Sequence, residues 1–126
     1  DFGMMSKNDS IVAFSFSGKT EDVVNGVKYC NQNNIPTIGI SGDSNSLLAK
    51  KSHIHLDICV NDEADHLNLA PTSSTTNMMA LCDALASSIS EQKGFSRSDF
   101  HTFHPSGSLG TKSSRYPNSS DSPTGK

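Results

Sequence analysis

Hydrophobic and polar positions along the chain predict the element order strand, helix, strand, helix, strand, helix. Short apolar runs at residues 10–15, 35–40 and 54–60 are typical of buried strands. Residues 21–33 carry apolar side chains at helical spacing, and a shorter helix is expected at residues 46–51. This order predicts an α/β fold with a parallel sheet, whose right-handed crossover helices cover both faces.

The following part of the chain is predicted to be helical. An apolar stripe after Asn77 indicates the strongest helix, and Gly94 is a typical stop signal at its end. A short helix is expected at residues 96–104, with Phe100 and Phe103 packing inward. Beyond it, residues rich in Ser, Pro, Asn and Lys predict a disordered tail.

Candidate chemistry lies where the first strand meets the first helix. Residues 15–20 read Ser-Phe-Ser-Gly-Lys-Thr, so two serines, a glycine and a threonine precede a helix N-terminus. The first backbone N–H groups of a helix have no internal partner, and Gly18 lets the backbone approach a ligand closely. A phosphate site and a plain N-cap at Thr20 are equally compatible with this pattern. The order and spacing of a Walker loop are missing.

Composition narrows the classes of protein. A chain of 126 residues is enough for one small domain, and its net charge of −3 gives no electrostatic case for nucleic acid binding. No signal peptide or membrane-length apolar run is evident. The widely spaced Cys30, Cys59 and Cys82 favour free thiols in a reducing cytoplasm. Because three strands are few and the chain begins at Asp1, we expect a fragment whose first strands precede it.

Several ordered motifs resemble one known family. The Ser-Phe-Ser-Gly of residues 15–18 resembles the Ser-Asn-Ser-Gly loop of sugar isomerase (SIS) domains. Residues 69–76 (Leu-Ala-Pro-Thr-Ser-Ser-Thr-Thr) and 104–110 (His-Pro-Ser-Gly-Ser-Leu-Gly) resemble segments of the D-arabinose 5-phosphate isomerase branch. The resemblance runs from Asp1 to Gly110.

The resemblance implies a fold and an activity. The fold is a three-layer αβα sandwich of the flavodoxin or Rossmann kind, here a partial SIS domain at residues 1–110. The tail, residues 111–126, stands where bacterial relatives carry CBS modules. The implied reaction interconverts arabinose 5-phosphate and ribulose 5-phosphate through an enediol, without a metal or organic cofactor. The implied partners are a sugar phosphate and further copies of the chain in a homo-oligomer.

Three acid–base residues are carried over by the resemblance. Glu63 is the candidate general base; without the resemblance it would be interpreted as a solvated loop carboxylate beside Asp62. His104 is the candidate for ring opening or proton shuttling, and its alternative is to cap local backbone. His101 lies one helical turn away, but a metal pair with His104 has no evident third ligand. Asp22 replaces the Glu of the family's catalytic site and is one methylene shorter.

The resemblance also implies the ligand contacts. The candidates for binding the phosphate and sugar are Ser15, Ser17, Gly18, Thr20, Ser73, Ser74 and Thr75. The last three are also expected to cap the helix at Asn77, and both roles are compatible. Lys19 stands where the family has an acidic residue, so this loop departs from the isomerase pattern. A non-catalytic sugar-phosphate sensor and an inactive truncated fragment are therefore the alternative hypotheses.

Overall fold

A computed structural model describes residues 2–115, which divide between two compact units, Asp1–Cys82 and Asp83–Lys126. The described elements, after a 3-10 turn at Phe2–Met4, are β1 (Ile11–Phe14), α1 (Glu21–Gln32), β2 (Thr37–Ser41), α2 (Leu47–Lys51), β3 (Ile54–Asp57), α3 (Ser73–Gln92), α4 (Arg97–Phe103) and α5 (Gly107–Arg115). No helix among these residues is long and apolar enough to cross a membrane. The predicted order of strands and helices is confirmed.

The first unit is built on a three-stranded parallel sheet in the order β1-β2-β3. Val12 pairs with Ile38, which pairs with Ile54, so these three residues share one face. β3 ends earlier than the predicted residue 60. Its last residue, Asp57, accepts the backbone N–H of Cys59 at 2.7 Å, and this local turn diverts the chain from the ladder.

Helices α1 and α2 both pack on the same face of this sheet, and they contact each other. The expected coverage of both faces therefore does not apply to these two crossovers. The reason is the sequential strand order: two right-handed crossovers that advance in the same direction place their helices on the same side. Ala13, Val24, Val27 and Leu48 form the buried core between the sheet and these helices.

The opposite face of the sheet is apolar and partly open. Val12, Phe14 and Ile54 are 41%, 40% and 56% exposed. On the same face Ile38 and Leu56 are half-buried, and only Ile40, at the centre of the sheet, is fully buried among these six residues. The sheet is thus packed mainly on the side of α1 and α2. This packing fixes the positions of the strand ends.

The second unit contains the C-terminal part of α3 followed by α4 and α5. Gly94 ends α3 at a φ of 65°, where the backbone N–H of Phe95 donates to the carbonyl of Ser90 at 3.0 Å. Ser96 and Asp99 form a reciprocal capping box at the start of α4. The expectation that Phe103 packs inward is wrong, because its ring is 71% exposed and only stacks beside Phe95.

The largest differences among the helix boundaries concern the start of α3 and the extent of α5. α3 begins at Ser73, four residues before Asn77, because a loop carboxylate binds its first turn. α5 continues past the predicted start of the tail at residue 111 and runs to Arg115. The rest of the predicted tail lies outside the described residues.

Candidate functional site

The loop between β1 and α1, residues 15–20, brings three predicted hydroxyl groups together. Ser15 Oγ lies 2.8 Å from Thr20 Oγ1 and 3.5 Å from Ser17 Oγ. The Ser17 hydroxyl also accepts the backbone N–H of Lys19 at 3.3 Å. Ser15 is buried, whereas Ser17 and Thr20 are exposed. We call this segment the anion loop, since its hydroxyl groups surround the start of a helix.

The anion loop leaves the N-terminus of α1 without a side-chain cap. Thr20 occupies the N-cap position, but its side chain makes no capping bond; its hydroxyl bonds to Ser15 instead. The contrast is with α2, where Ser46 accepts the N–H of Ala49 at 3.2 Å. Thr20 therefore stands at the N-cap position, as the alternative interpretation has it, but its side chain does not cap the helix. The open N-terminal amides of α1 are suited to donate to a phosphate oxygen.

Gly18 is the residue around which the anion loop turns. Its φ is 61°, a left-handed conformation that glycine adopts without strain. A Cβ at this position would collide with the Ser46 side chain and lie 3.3 Å from the Ser41 Cβ. The glycine is thus required both by the turn and by close packing against the next turn along the sheet edge.

Glu63 lies in the loop after β3, where it binds the first turn of α3. Its Oε2 accepts the backbone N–H groups of Thr72 at 2.8 Å and Ser74 at 3.2 Å. The Thr72 hydroxyl donates to the same oxygen at 3.1 Å. Glu63 is therefore not a freely solvated loop carboxylate. It caps the helix that carries the Ser-Ser-Thr cluster.

These contacts change the acidity of Glu63. The pKa of Glu63 is lowered from 4.5 to about 2, chiefly by the hydrogen bond from the Ser74 side chain and next by the one from the Thr72 N–H. Burial raises the pKa by a smaller amount. The carboxylate is ionised at neutral pH, as a general base must be. A pKa this low also makes it a weak proton acceptor, because an efficient base has a pKa near the working pH.

The Ser73-Ser74-Thr75 cluster forms the first turn of α3, not a segment preceding the helix. Ser74 is buried and its side chain bonds to Glu63. Ser73 and Thr75 instead line an open cleft of about 740 Å³, together with Ala64, Pro71, Thr72, Thr76, Asn77 and Ala80. The cluster is thus divided between a structural side chain and two that face a cleft.

A second carboxylate, that of Asp65, orders the backbone of the same loop. Its carboxylate accepts the backbone N–H groups of Leu67 at 3.0 Å and of Leu69 and Ala70, both at 2.8 Å. Burial raises the pKa of Asp65, but these N–H groups together outweigh it and hold the pKa below its ordinary value. We call residues 61–72 the carboxylate loop, because Glu63 and Asp65 order its backbone.

The remaining predicted residues lie in different settings. Asp22 is exposed in the first turn of α1, and Lys19 is exposed in the anion loop. His104 belongs to the second unit, where it ends α4: its Nδ1 lies 3.3 Å from the Phe100 carbonyl oxygen, and its ring stacks on Phe100 at 4.4 Å. Gly110 is buried against the His104–Pro105 backbone, which accounts for a glycine in that motif.

The described residues contain no group of three His, Cys, Asp or Glu side chains arranged to hold a metal ion. The prediction of site residues did not single out Ser41, Ser46 and His55, which form a hydrogen-bonded cluster next to Gly18. Ser41 Oγ is 2.8 Å from His55 Nε2 and 3.2 Å from Ser46 Oγ. The available signal was the second strand-to-helix turn at residues 41–46, which has the same polar, glycine-containing character as the first.

Comparisons with known proteins point to one family. The profile of the SIS domain matches residues 1–88. The arabinose 5-phosphate isomerase KdsD of Francisella tularensis is 44% identical over 112 residues, which cover 89% of this chain and 34% of that protein. KdsD of Pseudomonas aeruginosa is 43% identical with the same coverage of both chains. The chain spans about a third of the length of these curated relatives.

A solved structure shares the fold. The Escherichia coli CFT073 protein c3406, in complex with arabinose 5-phosphate, superposes with a TM-score of 0.78 at 34% sequence identity. The match covers 83% of this chain and 56% of that chain. The parallel sheet and its helices are thus shared with a protein whose structure contains a bound sugar phosphate.

Proposed function

Because the chain belongs to the SIS domain family, we propose that its protein is a sugar-phosphate aldose–ketose isomerase that interconverts arabinose 5-phosphate and ribulose 5-phosphate. The family was predicted from the motifs and is confirmed. The substrate is proposed from the named relatives and from the sugar-phosphate complex of the structural neighbour. The observation that carries the proposal within this chain is the uncapped N-terminus of α1 beside three clustered hydroxyls.

The anion loop is proposed to hold the phosphate. Backbone N–H groups at the start of α1 donate to the phosphate oxygens, and the hydroxyls of Ser15, Ser17 and Thr20 supply further donors. The helix dipole favours the negative charge at this end. Fixing the phosphate places the sugar carbons at a constant distance from the loop, and this positioning is a large part of catalysis on a small substrate.

Proton transfer is proposed to depend on Glu63. The carboxylate takes the proton from C2 of the aldose, an enediol forms, and the proton returns to C1 to give the ketose. His104 is proposed to open the sugar ring and to move the hydroxyl proton from O2 to O1. Because the bonds from Thr72 and Ser74 weaken Glu63 as a base, we propose that these bonds loosen when the substrate is bound.

The pH dependence of kcat tests this release, because kcat reports the pKa values of groups in the enzyme–substrate complex. If Glu63 works in the released state, the acidic limb of the profile lies near its ordinary carboxyl pKa of 4.5. If Glu63 works while bound to α3, activity persists toward its folded-state pKa of about 2. A profile with no dependence on residue 63, compared with the Glu63→Gln variant, would contradict Glu63 as the base.

The test of the function itself is direct. The protein is incubated with arabinose 5-phosphate, formation of ribulose 5-phosphate is followed, and binding is measured in parallel by calorimetry. Turnover supports the proposal. Intact binding without turnover contradicts isomerisation and favours the second candidate, a sugar-phosphate sensor. That candidate is supported by one observation, the engagement of Glu63 as a helix cap with a pKa of about 2.

We also propose, from the resemblance to SIS enzymes, that the protein forms a homo-oligomer in the cytoplasm. The partly exposed apolar face of the sheet, with Val12, Phe14 and Ile54, is compatible with burial in a larger assembly. Sedimentation equilibrium tests the association, and a purely monomeric species at high concentration would contradict it.

A further inference from the structure

The anion loop is held by the backbone of the next strand-to-helix turn, residues 42–46. The Gly42 N–H donates to the Phe16 carbonyl at 2.8 Å, and the Leu48 N–H donates to the Gly18 carbonyl at 3.0 Å. One donor lies in the second turn and the other at the start of α2, and their acceptors lie in the first and second halves of the anion loop. The position of the anion loop is therefore set by what fixes the second turn.

Ser46 is the point of tightest contact between the two turns. Its side chain occupies the space in front of the Gly18 Cα, so that even a methyl group on residue 18 would collide with it. Ser41 lies beside it, and Ser46 and Ser41 are 2% and 0% exposed. In such a densely packed region, a displacement of the Ser46 side chain is transmitted to Gly18.

The Ser46 hydroxyl is fixed by a chain of hydrogen bonds. Ser41 Oγ lies within hydrogen-bond distance of three groups: the Asp43 carbonyl oxygen at 3.1 Å, Ser46 Oγ at 3.2 Å and His55 Nε2 at 2.8 Å. Ser46 Oγ in turn accepts the Ala49 N–H at 3.2 Å.

We propose that Ser46, Ser41 and His55 are positioning residues for the phosphate site, acting through Gly18 without touching the sugar phosphate. The proposal rests on the proposed function of the anion loop. Its physical basis is preorganisation: N–H groups that already point at the phosphate need not be ordered when it binds. His55 extends this support to β3, so the sheet itself holds the loop.

The test compares two serines at the two ends of α2. Ser46→Ala removes the hydroxyl at the Gly18 contact. Ser52→Ala is the matched control, since Ser52 Oγ bonds to the Leu48 carbonyl at 2.8 Å at the far end of the same helix. We expect Ser46→Ala to weaken arabinose 5-phosphate binding about tenfold, because a small misplacement of a binding group is costly. We expect Ser52→Ala to stay within about twofold of the wild type.

A second variant keeps the test decisive if Ser46→Ala does not fold. His55→Phe keeps a ring on β3 but removes the ring nitrogen that bonds to Ser41, and we expect binding to weaken about threefold. In the double variant with Ser46→Ala, the His55 change should add little, because both act through one chain of bonds. Melting temperatures of all variants show whether a loss of affinity merely follows a loss of stability.

The outcomes separate the two proposals. If the wild-type protein binds no arabinose 5-phosphate, the proposed function fails and the positioning role fails with it. If the wild type binds, but Ser46→Ala binds as tightly as Ser52→Ala, only the positioning role is overturned. The same conclusion follows if His55→Phe binds normally. A loss of affinity in Ser46→Ala and His55→Phe, beyond that of Ser52→Ala at similar stability, supports the role.

Discussion

The anion loop and the carboxylate loop leave the same edge of the parallel sheet, yet they are ordered by different forces. In the anion loop, Gly18 packs against buried serines and main-chain bonds join it to the neighbouring turn. In the carboxylate loop, Glu63 and Asp65 accept backbone N–H groups while Leu67 and Leu69 are 62% and 75% exposed. The first loop is held by packing and the second by charge, so only the second is expected to loosen when its carboxylates are protonated.

The largest expected effect is a loss of turnover when the carboxylate of Glu63 is replaced. Glu63→Gln keeps an oxygen that can accept from Thr72 and Ser74 but removes the base, so turnover should fall about a thousandfold. Binding of arabinose 5-phosphate to the anion loop should change little. Steady-state kinetics and calorimetry measure the two quantities. The matched control is Asp62→Asn, a change to the neighbouring exposed carboxylate, and a similar loss in both variants would contradict a specific role for Glu63.

The next effect tests packing in the anion loop. Gly18→Ala places a methyl group against Ser46 at a positive φ, and it should lower the free energy of unfolding by about 3 kcal/mol. Gly94→Ala is the control, since its φ is 65° but nothing lies within 4 Å of the added Cβ. It should cost only the conformational part, about 1–2 kcal/mol. Equal losses of unfolding free energy in the two variants, measured by urea unfolding, would contradict tight packing between residue 18 and Ser46.

Acid should distinguish the two loops in one sample. The folded-state pKa of Glu63 is depressed from 4.5 to about 2, so its contribution to stability is complete above pH 4.5 and is lost as the pH falls toward 2. In the folded protein, the amide resonances of Thr72 and Ser74 should titrate with a midpoint near pH 2, whereas those of Gly18 and Gly42 should not. If NMR shows that both sets of amides titrate together, the contrast between the two loops is contradicted.

The smallest expected effect concerns Asp22. Its exposed carboxylate lies in the first turn of α1, near the proposed phosphate position, where it opposes a second negative charge. Asp22→Asn should tighten phosphate binding about twofold at low salt, and the gain should shrink at high ionic strength. A large loss of turnover with unchanged binding would instead support a catalytic role for Asp22.

Much of the fold was predictable, because the apolar runs and helical stripes of the first 60 residues have the correct periods. The contact between Gly18 and Ser46 was not, since it joins two turns that are remote in sequence. Likewise, nothing local indicates that Glu63 reaches Ser74 and starts α3 four residues early. The resemblance identified the SIS family correctly. It could not show that Ser74 is buried and that Thr20 bonds to Ser15.

The central claim is that the anion loop binds the phosphate of a sugar phosphate. Titration of the ¹⁵N-labelled protein with arabinose 5-phosphate, followed by amide chemical shifts, tests it most directly. The account predicts saturable shifts for the amides of residues 17–22, which inorganic phosphate reproduces in part by competing for the same site. Shifts confined to the cleft around Ser73 and Thr75, or no shifts at all, would contradict it.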